Sequence, residues 1–112
     1  MNKTTRLLAQ KYYNRIFKSN IPIDSMYIFG SAAKDTMRSA NDVDVCVVST
    51  AFGKDSTKER VFLMKLREGI SEIIEPHPYS PEDFQSPHDT LAQEIKKTGI
   101  KITKSSSTSS GQ

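Results

Sequence analysis

Apolar residues recur along this chain with two periods, and their alternation predicts an α/β (α+β) sandwich. Residues 4–18 carry Leu8, Tyr12 and Ile16 at four-residue steps, with Tyr13 and Phe17 beside them, the pattern of an amphipathic helix. Val43, Val45 and Val47 alternate with Asp42, Asp44 and Cys46, the pattern of a strand. Further segments of both kinds follow in turn, so the order helix, strand, helix, strand, helix, strand, helix implies a layered fold.

The elements follow from local chemistry. Asn20 and Pro22 end the first helix. Met26 to Phe29 is almost wholly apolar and reads as a buried strand that stops at Gly30. Ser31 to Met37 reads as a strand-to-helix junction with Ser31 as N-cap. After the strand over 42–47, Phe52-Gly53-Lys54-Asp55 forms a turn. Asp55 or Ser56 caps a helix that buries Phe62, Leu63, Leu66, Ile70 and Ile73, with Gly69 inside it as a weak point. Ile73-Ile74-Glu75 is a short strand, halted by Pro76 and Pro78. Ser80-Pro81-Glu82-Asp83 has an N-cap followed by proline at the first helical position. Asp89 to Thr98 forms a last helix with Gly99 as its C′ residue, and Ile100 to Ile102 adds an edge strand. Residues 1–103 are expected to form one domain, and the serine-rich segment 104–112 a disordered tail.

Composition excludes some classes. The chain has 112 residues, 36% hydrophobic and 26% charged, the balance of an ordinary soluble protein. No apolar run approaches the roughly 20 residues that span a bilayer, so no membrane partner is expected. The first residues lack the apolar core of a signal peptide, and Cys46 alone permits neither an intrachain disulfide nor a cysteine metal site, so a cytoplasmic protein is expected. The net charge of +3 is uneven, with Lys96, Lys97, Lys101 and Lys104 clustered near the end. Such a cluster attracts phosphates, but lysines complementing a helix dipole in solvent are the simpler reading, and no specific nucleic acid is expected.

The chemistry concentrates between residues 30 and 44. Asp42 and Asp44 are two apart on a strand, so both side chains leave one face. Two adjacent acids repel each other unless a cation lies between them, and hard ions such as Mg²⁺ prefer carboxylate oxygens shared with substrate phosphates. A bare Asp-x-Asp is more often a solvated edge. Here, however, Gly30 and Ser31 precede it at the end of an apolar strand. Glycine allows close approach to the backbone, a helix starting there turns free N–H groups outward, and Ser31 and Lys34 add a hydroxyl and a mobile positive charge. Phosphate cradle and metal-binding acids would lie on neighbouring strands.

The run Tyr27-Ile28-Phe29-Gly30-Ser31-Ala32-Ala33-Lys34, followed by Asn41-Asp42-Val43-Asp44-Val45, resembles the signature of the DNA polymerase beta-type nucleotidyltransferase superfamily: Gly-Ser, about ten residues, then Asp-x-Asp. Ten residues, Ala32 to Asn41, separate Ser31 from Asp42, the spacing of the minimal nucleotidyltransferases. Residues 74–84 also look like stretches of small bacterial members, and the resemblance runs from about Tyr12 to Ile102.

That resemblance implies a mixed β-sheet flanked by helices, two Mg²⁺ ions, and transfer of a nucleoside monophosphate from an NTP to a hydroxyl. Asp42 and Asp44 would ligate the metals, and Gly30, Ser31 and Lys34 would bind the nucleotide. A third carboxylate, Glu75 with Glu72 as rival, would complete the metal site and help deprotonate the acceptor. The family usually continues Gly-Ser-x-Ala-Arg-Gly, where this chain has Lys34 and Asp35. Lysine lacks the bidentate fork of arginine, and Asp35 adds a negative charge near the phosphates. By the same resemblance, minimal members assemble with a helical HEPN-type toxin and act as antitoxins by adding AMP from ATP to its tyrosine. A hetero-oligomer is therefore expected, with the aromatic first helix or the last helix as docking surface. The alternatives are a non-catalytic antitoxin that masks its partner, and a small-molecule nucleotidyltransferase of the aminoglycoside type. His77 reads as a loop residue between prolines, although it could touch nucleotide or metal. Cys46 reads as core filler, and Met26 and Met64 as core.

Overall fold

The computed structural model describes residues 1–34 and 42–104. Helix α1 spans Lys3–Lys18, and its Asn2 cap accepts a hydrogen bond from the Thr5 N–H at 2.7 Å. Strand β1 (Ser25–Phe29) leads into a single 3₁₀ turn over Gly30–Ala33, and β2 spans Val43–Val48. Helix α2 (Ser56–Leu66), strand β3 (Ile74–Tyr79), the short α3 (Pro81–Phe84), helix α4 (Thr90–Thr98) and strand β4 (Ile100–Ile102) complete the order. The sheet runs β3-β2-β1-β4. Strand β1 is antiparallel to both β2 and β4, whereas β2 and β3 are parallel. Parallel neighbours need a crossover, which α2 supplies. The mixed sheet flanked by helices is the α+β architecture expected.

Alternation along the strands divides the core between two faces. Met26, Ile28, Val43, Val45, Val47 and Ile74 pack with Ala9, Tyr12, Ile16 and Leu63 from α1 and α2. Phe29, Cys46 and Val48 pack on the other face with Phe84, Ala92 and Ile95 from α3 and α4. The Tyr12 hydroxyl donates to the Leu63 carbonyl, joining α1 to the last turn of α2. That carbonyl lies where helical partners run out, and both residues are fully buried. Tyr12→Phe should lower stability by about 1–3 kcal/mol in denaturant unfolding, because it leaves a buried acceptor unpaired.

Several expectations are corrected. Helix α2 ends at Leu66, and Gly69 lies in the following turn at φ +82, where it closes the helix instead of weakening its interior. Asp55, not Ser56, is the cap, accepting from the Lys58 N–H. Phe62 and Met64 face outward, because only Leu63 of α2 is fully buried. Gly99 follows α4 in an extended conformation, where a Cβ would meet the Ile95 carbonyl oxygen at 2.6 Å; close approach, not a left-handed backbone, favours glycine there.

The largest correction concerns β3, which runs straight through Pro76 and Pro78. It is an edge strand, and the Ile73 and Tyr79 carbonyls accept from Val43 and Ser49. Odd-numbered residues thus turn their peptide groups toward β2. The prolines stand at even positions, where the missing N–H would have faced the open edge. His77 between them is accordingly a strand residue, not a loop residue. The expected junction beyond Lys34 and the serine-rich tail from Ser105 lie outside the described residues. No helix among the described residues is long and apolar enough to cross a membrane.

Candidate active site

The sheet register assembles the acids. Asp44 lies opposite Phe29 on the antiparallel side and opposite Glu75 on the parallel side. His77, two residues beyond Glu75, shares its face, and its Nε2 stands 3.2 Å from Asp44 Oδ1. The Phe29 ring meets the imidazole edge-on with centroids 5.2 Å apart, fixing the ring against the sheet. Asp44, Glu75 and His77 each present one ligand atom, and these atoms lie within 4.8 Å of one another. All three residues are half-buried, open to solvent on one side.

Gly30 forms the wall of this cluster. It adopts φ +72, and a Cβ built there would lie 2.8 Å from Asp44 Oδ2. Glycine is needed twice over, for the left-handed backbone and for the space the carboxylate occupies. The 3₁₀ turn that follows is closed by the Lys34 N–H on the Ser31 carbonyl at 3.1 Å. Ser31 lies inside this turn and not at its cap, since Phe29 precedes the turn and no side chain caps it. Of the junction expected over Ser31 to Met37, the described residues form one short 3₁₀ turn with Ser31 and Lys34 exposed.

Not every anticipated residue joins the cluster. Asp42 is exposed immediately before β2 and does not belong to the close group of three. Glu72 is exposed in the turn ahead of β3, so of the two rival carboxylates it is Glu75 that faces Asp44. Arg60 Nη2 reaches Glu75 Oε1 at 3.7 Å, but both side chains are nearly half exposed and the pair is weak. The cluster member that the sequence reads instead as a loop residue is His77. Its i, i+2 spacing from Glu75 was the available signal, and the flanking prolines hid the strand that gives it meaning.

The donor set fits a divalent cation. Two carboxylates face each other across a ladder, a third acid lies just ahead, and a glycine keeps the wall open where any Cβ would strike an Asp44 oxygen. Beside the cluster a groove of about 410 Å³ opens between α2 and α4, lined by Arg60, Val61, Met64, His77, Pro78 and Leu91 among others. Cys46, on the same strand as Asp44, is not part of the chemistry. Burial, followed by the Asp89 charge, pushes its thiol up to about 12. Thiol reagents at pH 8 should leave the native protein unlabelled and modify Cys46 only after denaturation, as mass spectrometry would read.

The family described as "Polymerase beta, Nucleotidyltransferase" matches residues 11–108. No curated protein matches the chain by sequence. Among solved structures, a Sulfolobus solfataricus protein provisionally assigned as a nucleotidyltransferase is similar, with TM-score 0.63 and 15% identity over 93% of this chain and 90% of that one. A toxin–antitoxin structure with AMP-PNP aligns with TM-score 0.59 and 21% identity, over 88% of this chain and 76% of its own. A complex of tri-AMPylated Shewanella oneidensis HEPN toxin with its MNT antitoxin aligns with TM-score 0.55 and 20% identity, over 94% and 77%. At such identities the likeness is one of fold.

Proposed function

Because this chain belongs to the polymerase beta nucleotidyltransferase family, we propose that it moves AMP from ATP onto a hydroxyl of a partner protein, a HEPN-type toxin whose tyrosine is the acceptor. The observation that carries the reading is the facing pair Asp44 and Glu75 beside the Gly30 turn. The similar folds with AMP-PNP and with an AMPylated toxin support the choice of nucleotide and partner.

In this reading the Gly30 backbone and the Ser31 hydroxyl hold the terminal phosphates, with the Lys34 ammonium free to approach them. Asp42, Asp44 and Glu75 would hold Mg²⁺, which supplies Lewis-acid stabilisation of charge on the phosphoryl oxygens. Glu75 accepts the proton of the incoming hydroxyl. The acceptor oxygen forms a bond to the α-phosphorus, the bond to the β-phosphate bridge breaks, and pyrophosphate leaves. The groove between α2 and α4 opens beside His77 on the Glu75 side of Asp44, opposite the Gly30 turn, where an in-line acceptor must enter.

One observation favours a masking role as second reading. Leu7 and Phe17 of α1 are 57% and 50% exposed, two separate apolar side chains on the first helix that a partner could cover without chemistry. Incubation with labelled ATP, Mg²⁺ and a HEPN-type partner separates the two. Label on the partner is the expected result. A tight complex with no label overturns the enzymatic reading and leaves masking.

A further inference from the structure

We propose that His77 is a direct metal ligand, so that the centre adds an imidazole to the carboxylates of Asp44 and Glu75 and to that of Asp42 ahead of them. It thereby favours Mn²⁺, Co²⁺ and Zn²⁺ over Mg²⁺ more than carboxylates alone would. This inference rests on the reading of Asp44 and Glu75 as ligands given above.

Geometry carries it. His77 Nε2 is 3.2 Å from Asp44 Oδ1, close to the separation of neighbouring ligand atoms around a first-row ion with bonds of about 2.1 Å. The Glu75 carboxylate completes a triangle with no side longer than 4.8 Å, which modest side-chain rotation closes. The imidazole is held from three directions. Its strand is bonded to β2, Phe29 packs against the ring, and prolines on either side fix their own backbone torsions. A ring so restrained loses little freedom on binding an ion, and it already points at Asp44.

The chemistry follows from donor type. Mg²⁺ prefers oxygen and keeps much of its water, whereas imidazole nitrogen adds affinity for later first-row ions. Without an ion, the His77–Asp44 hydrogen bond occupies the same position. For His77 to ligate there its proton must sit on Nδ1, leaving the Nε2 lone pair for the ion and both Asp44 oxygens as acceptors.

The test uses the full chain and metal salts alone. Pulsed electron paramagnetic resonance of the Mn²⁺-loaded protein should show the ¹⁴N coupling of a bound imidazole. The coupling should vanish in His77→Gln and persist in His88→Gln, the chain's only other histidine. In calorimetry His77→Gln should weaken Co²⁺ binding by about tenfold or more, since even outer-shell partners of metal ligands are worth that much. Mg²⁺ binding should change less than about twofold, because Mg²⁺ draws little on nitrogen. Absence of ¹⁴N coupling in the wild type, its loss only in His88→Gln, equal weakening for both ions, or no metal binding at all would each overturn the proposal. Transfer of label with Mg²⁺ and no ¹⁴N coupling would remove this inference and leave the proposed function. Coupling without transfer would do the reverse.

Discussion

Asp44→Asn is expected to reduce nucleotidyl transfer about a thousandfold, a loss of about 4 kcal/mol of transition-state stabilisation, the scale of removing a metal-held charge from a phosphoryl transfer site. Asp44 is the one residue that touches every part of the cluster: it faces Glu75, takes the His77 hydrogen bond and fills the space that Gly30 leaves. The amide has nearly the same shape and can keep the His77 contact, so the fold should persist. Removing one of two facing acids also relieves their repulsion, and the thermal midpoint should not fall. Label incorporation into the partner, read beside a melting curve, checks both halves. A large drop in the midpoint would mean that the substitution acts through folding.

Gly30→Val is expected to remove activity and stability together. Its backbone stands at φ +72, a region nearly closed to β-branched residues, at a cost of about 1–3 kcal/mol. The new Cβ would meet Asp44 Oδ2 at 2.8 Å, so the carboxylate must leave the position from which it meets His77. Gly30→Ala separates the effects, since it keeps the clash but carries less backbone penalty than a branched side chain. It should lose metal binding by calorimetry while unfolding closer to the wild type.

The sequence showed much of this site, and the reason is physical. Strand alternation in Asp42-Val43-Asp44-Val45 fixes which side chains share a face, and Gly30 ends its strand at φ +72 where a Cβ would also strike Asp44. Asp55, Ser80 and Asp89 cap their helices through local side-chain bonds, the kind of contact that short patterns encode. What stayed hidden depends on pairing between distant segments. Prolines 76 and 78 break a strand in isolation, and only the edge position and register of β3 make them harmless. A strand that ends before Pro76 leaves His77 with no face, and only the full length of β3 sets it beside Asp44. The outward turn of Phe62 and Met64 has the same origin, since α2 covers the sheet through a narrow stripe that helical periodicity alone widens.

The two edge prolines also govern what this protein can join. A free strand edge is normally a template onto which another chain can zip, whether a partner peptide or a second copy. Along β3 that ladder is interrupted at alternate positions, because Pro76 and Pro78 have no N–H to offer the incoming strand. β-Augmentation is thus blocked beside the acids, and an extended segment cannot be registered there by main-chain bonding. The groove between α2 and α4, lined by side chains such as Arg60, Met64, His77 and Leu91, is left as the surface beside the acids. The same prolines deny this edge to a second copy of the chain, since the β3 ladder cannot be extended by it.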